Sequence, residues 1–154
     1  MARYLVIAHQ TAESPELLER LRQLGAADSQ AEFTILVPAT PVCNVWVCDE
    51  VETARVARER AAGAEERVKG QGLRVLASRV GDADPVEALR DELMRDDSYE
   101  AIVISTFPPG ISRWLKMDVL ARAARLLPGR QIISVIASSV PAPVEASHPA
   151  AVQP

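Results

Sequence analysis

The alternation of short apolar runs with helical segments is the feature that most limits the folds open to this chain. Five runs rich in Val, Ile and Leu occur, and a stretch whose apolar residues have helical spacing separates each run from the next. Such runs are typical of strands buried on both faces, joined by right-handed helical crossovers. The pattern predicts β-α-β-α-β-α-β-α-β, an α/β fold with a single open five-stranded parallel sheet and helices on both faces. The predicted strands are 4–8, 33–37, 73–80, 101–104 and 132–136.

Capping residues indicate where two of the helices begin. Ser14 and Asp84 each stand immediately before a proline, which is the arrangement of an N-cap followed by proline at the first helical position. We expect the first helix to end at Gly25 and the second to run from about 51 to 69. The predicted buried face of this second helix comprises Val51, Ala54, Ala57, Ala61, Ala64 and Val68.

Length and charge bound the class of protein. The 154 residues predict one domain at 1–137 and an Ala/Pro-rich C-terminal tail at 138–154. No apolar run approaches the ~20 residues of a membrane span, and Met1 leads almost directly into the first strand, so we expect no membrane contact, no signal peptide and a cytoplasmic protein. A net charge of −4 predicts no affinity for nucleic acid.

The segment from Ala101 to Leu115 indicates where a ligand would bind. A buried strand ends there in a Pro/Gly loop, and the loop opens into a helix predicted at 113–127 with Ser112 as its N-cap. In a doubly wound sheet, ligands bind beyond the carboxyl ends of the strands, and helix N-termini attract anions. Residues 113–130 hold five basic residues and one acid. This basic run predicts either a solvated helix face or a site for one phosphate or carboxylate.

The element order and the 101–115 segment resemble the universal stress protein family over about residues 3–137. Members of that family that bind ATP carry Gly-x2-Gly-x9-Gly-Ser/Thr after the fourth strand and a short turn containing Asp after the first. Trp114, which follows Arg113 directly, is similar to a feature of a divergent branch that is common in actinobacteria; a core or interface aromatic and a stacking platform are both open interpretations. The resemblance implies the same fold, with a nucleotide site in the crevice.

This chain keeps the position of the family's loop but not its residues. When the two are aligned at the end of the fourth strand, the first glycine of the family pattern corresponds to Ser105 and the second to Pro108. The final Gly-Ser corresponds to Met117-Asp118, with a spacing one residue shorter. Proline has no N–H to offer a phosphate, and Asp118 adds a negative charge where the family has a phosphate contact. We therefore expect a degenerate nucleotide loop and no bound cofactor, with ATP or AMP as the alternative.

Candidate ligand residues surround the ends of the first, second and fourth strands. After the first strand, Ala8-His9-Gln10-Thr11 replaces the family's acidic turn, and His9 is interpreted either as a ligand donor or as a satisfied polar residue. After the fourth strand, Gly110, Ser112 and Arg113 still resemble parts of an anion-binding loop. The candidate ligand-binding set is Ala8, His9, Val37, Ser105, Gly110, Ser112, Arg113 and Asp118.

Two further pairs of residues do not predict a metal site. Cys43 and Cys48 lack the second pair of ligands that zinc needs, and we interpret them as free thiols or, alternatively, as a redox pair. Asp82 and Asp84 are explained by a turn followed by a helix cap. We therefore expect no metal site.

Three functions remain open from the sequence. The first is a non-catalytic regulatory or scaffold module that forms a homodimer through the last strand, 132–136, and acts on an unidentified protein partner. The second is a binder of a nucleotide or small anion through the Gly110–Arg113 loop. A weak nucleotide-processing enzyme is least favoured, because the sequence holds no Walker loop, nucleophile elbow or metal-spaced His/Asp cluster, and we expect no catalytic residues.

Overall fold

Strands and helices alternate along the chain in this computed structural model, which describes residues 1–41, 49–108 and 118–138. The strands are β1 (Arg3–Ile7), β2 (Glu32–Pro38), β3 (Arg74–Gly81), β4 (Ala101–Thr106) and β5 (Gln131–Ile136). The helices described are α1 (Pro15–Ala27), α2 (Glu50–Gly70), α3 (Pro85–Arg95) and α4 (Val119–Leu126). This order confirms the predicted alternation.

All five strands pair in parallel in one sheet, in the order β3-β2-β1-β4-β5. β1 lies at the centre, and β3 and β5 form the two edges. The chain winds outward from β1 through β2 to β3, then crosses back and continues through β4 to β5. The direction of winding therefore reverses between β1 and β4, and such a switch point is where open α/β sheets bind their ligands.

Helices cover both faces of the sheet, as predicted. On one face, α1 and α2 pack on alternate residues of the central strands, with Leu21 and Ala57 in the same cluster as Phe33. On the other face, α3 and α4 pack on the remaining residues, with Leu89 clustered with Ile104. Because β1, β2 and β4 are buried on both sides, their sequences are almost continuously apolar.

The predicted helix caps Ser14 and Asp84 are confirmed. Ser14 Oγ accepts a hydrogen bond from the Leu17 amide at 3.2 Å, and Asp84 Oδ1 accepts one from the Val86 amide at 2.8 Å. Asp49 caps α2 in the same way. These side chains replace the partners that the first N–H groups of a helix lack.

The predicted end of α1 at Gly25 is wrong, because the helix continues to Ala27. Gly25 instead allows a close approach, since a Cβ at this position would overlap the side chain of Leu73. Asp28 follows the last helical residue as the C-cap, and its side chain accepts a bond from the Gln30 amide, which favours a turn.

The buried face of α2 also differs at its start. Val51 is 77% exposed, and Thr53 occupies the buried position instead. Val51 lies two residues, more than half a helical turn, away from Thr53 and so points away from the sheet. Ala57, Ala61, Ala64 and Val68 are buried as predicted.

Two polar residues extend β4 beyond its predicted end at Ile104, because Ser105 and Thr106 pair with Val135 and Ile136 of β5. Within the described residues, no helix is both long and apolar enough to cross a membrane. The predictions for Cys43, Cys48, Trp114 and residues 139–154 of the tail lie outside the described residues.

Candidate functional site

The site is built where β1 and β4 end side by side, and we call it the switch-point crevice. Ile7 is level with Leu36 of β2 and with Ile104 of β4, so the next residue, Ala8, lies between Val37 and Ser105. The Ala8 amide donates to the Leu36 carbonyl at 3.2 Å, and Ala8, Val37 and Ser105 are all buried. The structure thus brings three of the predicted candidates together.

A side-chain hydrogen bond ties the turn after β1 to the end of β4. Thr11 Oγ1 donates to the Ser105 carbonyl at 3.2 Å, and Thr11 is buried. The turn has its own backbone bonds, from the Ala12 amide to the His9 carbonyl and from the Ser14 amide to the Thr11 carbonyl. Together these bonds fix the wall of the crevice on the α1 side.

The last two residues of β4 carry buried hydroxyl groups without a hydrogen-bond partner among the described residues. Ser105 is 1% exposed and Thr106 is 3% exposed. Successive side chains of a strand point to opposite faces, so these hydroxyls lie on the two sides of β4. Leaving such a group unsatisfied costs about 1–3 kcal/mol, and one explanation is a ligand or water that completes the bond.

The other candidates are placed less closely. His9 is buried directly after Ala8, and its backbone carbonyl accepts a bond within the turn. Asp118 immediately precedes α4 in a left-handed conformation, φ 55°, and its side chain makes no cap bond. Gly110, Ser112 and Arg113 lie outside the described residues.

Helix α2 contacts the turn that follows β1. The Glu13 side chain packs against Gly63 so closely that a Cβ there would overlap its carboxylate. Arg67 Nη1 also donates to the Glu13 carbonyl at 3.3 Å. This contact was not predicted from the sequence, although a glycine inside a long helix is a signal of close approach.

The arginines described in the basic run all face carboxylates. Arg122 Nη2 is 2.9 Å from Asp84 Oδ2, Arg130 Nη1 is 2.6 Å from Asp97 Oδ1, and Arg125 lies 4.0 Å from Asp118. Burial opposes ionisation of Asp84, but the bonds from Arg122 and from two backbone amides outweigh it and lower its pKa. Arg122 and Arg130 are therefore already paired within the protein, whereas the side chain of Arg125 is 68% exposed.

The carboxyl end of β5 is tied to α1. The Ser138 amide donates to Glu16 Oε1 at 2.9 Å, and the Ser138 hydroxyl contacts the same oxygen. The hydroxyl, and then the amide, lower the pKa of Glu16. Ser138 thus lies beside the start of α1.

The edge of the sheet around the crevice is rich in carboxylates. We define this carboxyl edge as the described residues 8–16, 38–41, 49–52, 81–87, 105–108, 118, 137 and 138, which follow the strands and begin the helices. These residues include no lysine or arginine. Their nine acidic residues are Glu13, Glu16, Asp49, Glu50, Glu52, Asp82, Asp84, Glu87 and Asp118.

Arginines that reach back from the helices neutralise only part of this edge. Five of the nine acids have an arginine within ion-pair distance, whereas Glu16, Asp49, Glu50 and Asp82 have none among the described residues. Asp82 and Asp84 form the predicted turn and cap, since Asp82 Oδ1 accepts from the Asp84 amide at 2.8 Å. In the part of the chain described, no cluster of His, Cys, Asp and Glu could hold a metal ion.

Solved structures with a similar fold identify this architecture. A universal stress protein from Archaeoglobus fulgidus matches with a TM-score of 0.60 and 16% identity, over 88% of this chain and 93% of that one. A universal stress protein in complex with cAMP matches with a TM-score of 0.56 and 20% identity, over 89% and 98% of the two chains. The chain has the universal stress protein fold. The predicted fold is thereby confirmed, while the actinobacterial branch stays a prediction.

A third structure with the universal stress protein fold extends the comparison to plants. It is a family protein from Arabidopsis thaliana with AMP bound, and it matches with a TM-score of 0.59 and 11% identity over 94% of this chain and 97% of that one. No protein-family model matches the chain, and no curated protein sequence matches it. The likeness therefore lies in the universal stress protein fold rather than in the residues.

Proposed function

We propose that this chain binds an adenine nucleotide in the switch-point crevice and acts as a non-catalytic regulatory or scaffold module. The observation that carries the proposal is the buried, unpartnered hydroxyl of Ser105, which lies level with Ala8 at the switch point of the sheet. Solved structures with the same fold hold cAMP or AMP, which supports the choice of ligand class.

The geometry of the crevice supports a flat, mostly uncharged group at its base. Ala8 and Val37 are buried apolar neighbours of Ser105, whose hydroxyl offers a hydrogen bond without charge. An adenosine moiety combines these properties, because its base is apolar on its faces and polar at its rim. Small-molecule sites are typically built in this way, with a few placed polar groups in an apolar lining.

Thermal unfolding with AMP, cAMP, ATP and sulfate at millimolar concentration tests the proposal. A ligand at 100 times its dissociation constant stabilises the folded state by about 2.7 kcal/mol, so a bound nucleotide raises the Tm and sulfate alone does not. Ser105→Ala should weaken nucleotide binding, whereas Ser134→Ala, at an exposed position of β5, should not. If no nucleotide shifts the Tm, the proposal is wrong.

A stability measurement separates a ligand-binding role of Ser105 from a structural one. Its hydroxyl has no partner among the described residues, so Ser105→Ala should leave the free energy of unfolding without ligand unchanged or slightly higher. A hydroxyl that bonds the nucleotide should therefore give a variant with unchanged or higher stability and weaker binding. A loss of both stability and binding would instead indicate a structural role.

The regulatory role is proposed together with a homodimer through β5. This edge strand leaves Ile136 50% exposed, and an edge strand offers unpaired backbone groups to a second copy. Light scattering should give a dimer mass for the wild type and a monomer for Ile136→Lys. The matched control is Leu76→Lys, since Leu76 is 46% exposed on β3 at the opposite edge. A monomeric wild type at micromolar concentration would contradict the dimer.

The proposed setting is the cytoplasm, with an unidentified protein partner and no nucleic acid. Cell fractionation tests the compartment. An electrophoretic mobility shift assay with duplex DNA tests the absence of nucleic-acid binding. We expect no shift, because the overall charge is −4.

A further inference from the structure

We infer that Arg60 of α2 contacts the phosphate group of the nucleotide in the switch-point crevice. This inference rests on the proposed function and adds the residue that distinguishes a nucleotide from a nucleoside. It follows from two observations: Arg60 is half-buried without an ion-pair partner among the described residues, and its helix packs beside the turn that follows β1.

Arg60 differs from the other basic residues of α2. Arg55, Arg67 and Lys69 each form an ion pair with a glutamate. Arg58 is exposed to water. Arg60 is half-buried, and no carboxylate of the described residues lies within ion-pair distance of it. The helix explains this, because the positions three and four residues away on either side hold only valine, alanine and glycine.

The burial of this guanidinium is left without compensation by the described residues. Burial lowers the pKa of Arg60, and the negative charge of Glu13, which lies beyond ion-pair distance, acts in the opposite direction. Arginine stays charged in proteins, so the lost hydration has to be replaced by an anion or by water. Its N–H donors form a planar fork that matches the oxygens of a phosphate group.

The contact between Gly63 and Glu13 locates Arg60 along the sheet. Gly63 lies against the carboxylate of Glu13, within the turn after β1. Because α2 joins two parallel strands, it runs antiparallel to them and begins at their carboxyl edge. Arg60 is three residues nearer the start of the helix than Gly63, about 4.5 Å along its axis. Arg60 therefore lies at the rim of the switch-point crevice.

Arg60 also lies on the same side of the sheet as the Ser105 hydroxyl. Ala61, the next residue of α2, belongs to the buried cluster that contains Ala8 and Val103. Ser105 follows Val103 by two residues in β4, so its side chain points to the same face. A ligand that bonds to Ser105 therefore has α2 as a neighbour.

The charges around Arg60 do not oppose an anion. Glu50, the acid at the start of α2, precedes Arg60 by ten residues, about 15 Å along the helix, which exceeds the screening length of about 8 Å at physiological ionic strength. Outside the described residues, the sequence contains a single acid, Glu145, whereas Arg113 and Lys116 are basic. A phosphate is thus the ligand group that this position favours.

Isothermal titration calorimetry of the full chain with AMP and adenosine tests the inference. The two ligands differ only in the phosphate, so Arg60→Gln should weaken AMP binding about tenfold and leave adenosine binding unchanged. Arg60→Lys keeps the charge but not the planar fork, and it should lose less. Arg58→Gln is the matched control, since it removes the same charge from an exposed position of α2 and should affect neither ligand.

Several outcomes would overturn the inference and leave the proposed function standing. Equal AMP affinities of the wild type and Arg60→Gln would exclude the contact, and equal losses in Arg58→Gln would show that total charge decides. A parallel loss of adenosine binding and of stability to urea would indicate a structural role. Loss of the preference for AMP in Arg113→Gln but not in Arg60→Gln would assign the phosphate to the other arginine. If the wild type binds neither AMP nor adenosine, the proposed function itself fails.

Discussion

Arg122 of α4 donates to the carboxylate of Asp84, the N-cap of α3, across 2.9 Å. The carboxylate of Asp84 thus caps α3 and also links α3 to α4. Asp84→Ala should lower the free energy of unfolding by about 1–2 kcal/mol, as expected for loss of a cap, and Asp84→Asn by less because its amide oxygen still accepts from the helix. Urea unfolding at pH 7 measures both, and equal losses would contradict the role of the cap.

The same carboxylate predicts a pH dependence. Its pKa in the folded state lies below the ordinary 3.8, so its stabilisation is present above about pH 4 and is lost as the pH falls through the lower, folded value. The advantage of the wild type over Asp84→Asn should therefore shrink below pH 4. Urea midpoints at pH 3 and pH 6 check this, and a constant difference would count against it.

Gly81, the last residue of β3, lies against α3 and β2. A Cβ there would lie 2.6 Å from the Cβ of Ala88 and 3.0 Å from Cδ1 of Leu36. Gly81→Ala should therefore cost about 1–3 kcal/mol of stability by overpacking. The matched control is Gly70→Ala at the end of α2, where a Cβ meets nothing within 4 Å. Chemical denaturation should separate the two variants, and similar stabilities would show that the packing adjusts freely.

Ionisation of Tyr99 should lower the stability of the folded protein at alkaline pH. Burial, and the bond from its hydroxyl to Glu92 Oε1 at 2.7 Å, raise the pKa of Tyr99 to about 12. The stabilisation from the neutral phenol is complete below pH 10 and is lost as the pH rises through the folded pKa. Tyr99→Phe should show a shallower fall in stability between pH 10 and pH 12 than the wild type. Guanidinium unfolding at both pH values tests this, and parallel curves would refute it.

The bond from Thr11 to Ser105 should matter for both stability and binding. Thr11→Val keeps the shape of the side chain but leaves the Ser105 carbonyl without its side-chain donor, at an expected cost of about 1 kcal/mol and with weaker nucleotide affinity. Thr11→Ser keeps the donor and serves as the control. Calorimetry with AMP measures affinity, and Val and Ser variants that bind alike would show that the bond does not shape the crevice.

The sequence predicted those parts of the fold that follow from local chemistry. Strands buried on both faces are recognisable as apolar runs, and Ser14 and Asp84 cap helices because their side chains reach their own backbone. The end of α1 was misplaced, since Gly25 accommodates Leu73, a residue distant in sequence. Val51 was misassigned because two apolar residues at a helix start do not show which one faces the sheet.

The site was predicted in its location but only partly in its residues. Ala8, Val37 and Ser105 come together because parallel register brings strand ends to one level. Thr106 was missed, since polar residues at the end of an apolar run look like the start of a loop. The neutralisation of Arg122 was also not predictable, because its partner, Asp84, lies on another helix and had been assigned only a capping role.

The central position of β1 has a consequence for the order of assembly. Its partner on one side, β2, follows after a single helix, whereas on the other side Tyr4 pairs with Ala101, most of the chain away. Contacts so distant in sequence form slowly, because a long loop must close before they are gained. During synthesis, β1, β2 and β3 can therefore assemble as a half-sheet with one side of β1 open until β4 emerges. The nucleotide binding proposed above would therefore report on completed folding, since the switch-point crevice does not exist until β4 has docked.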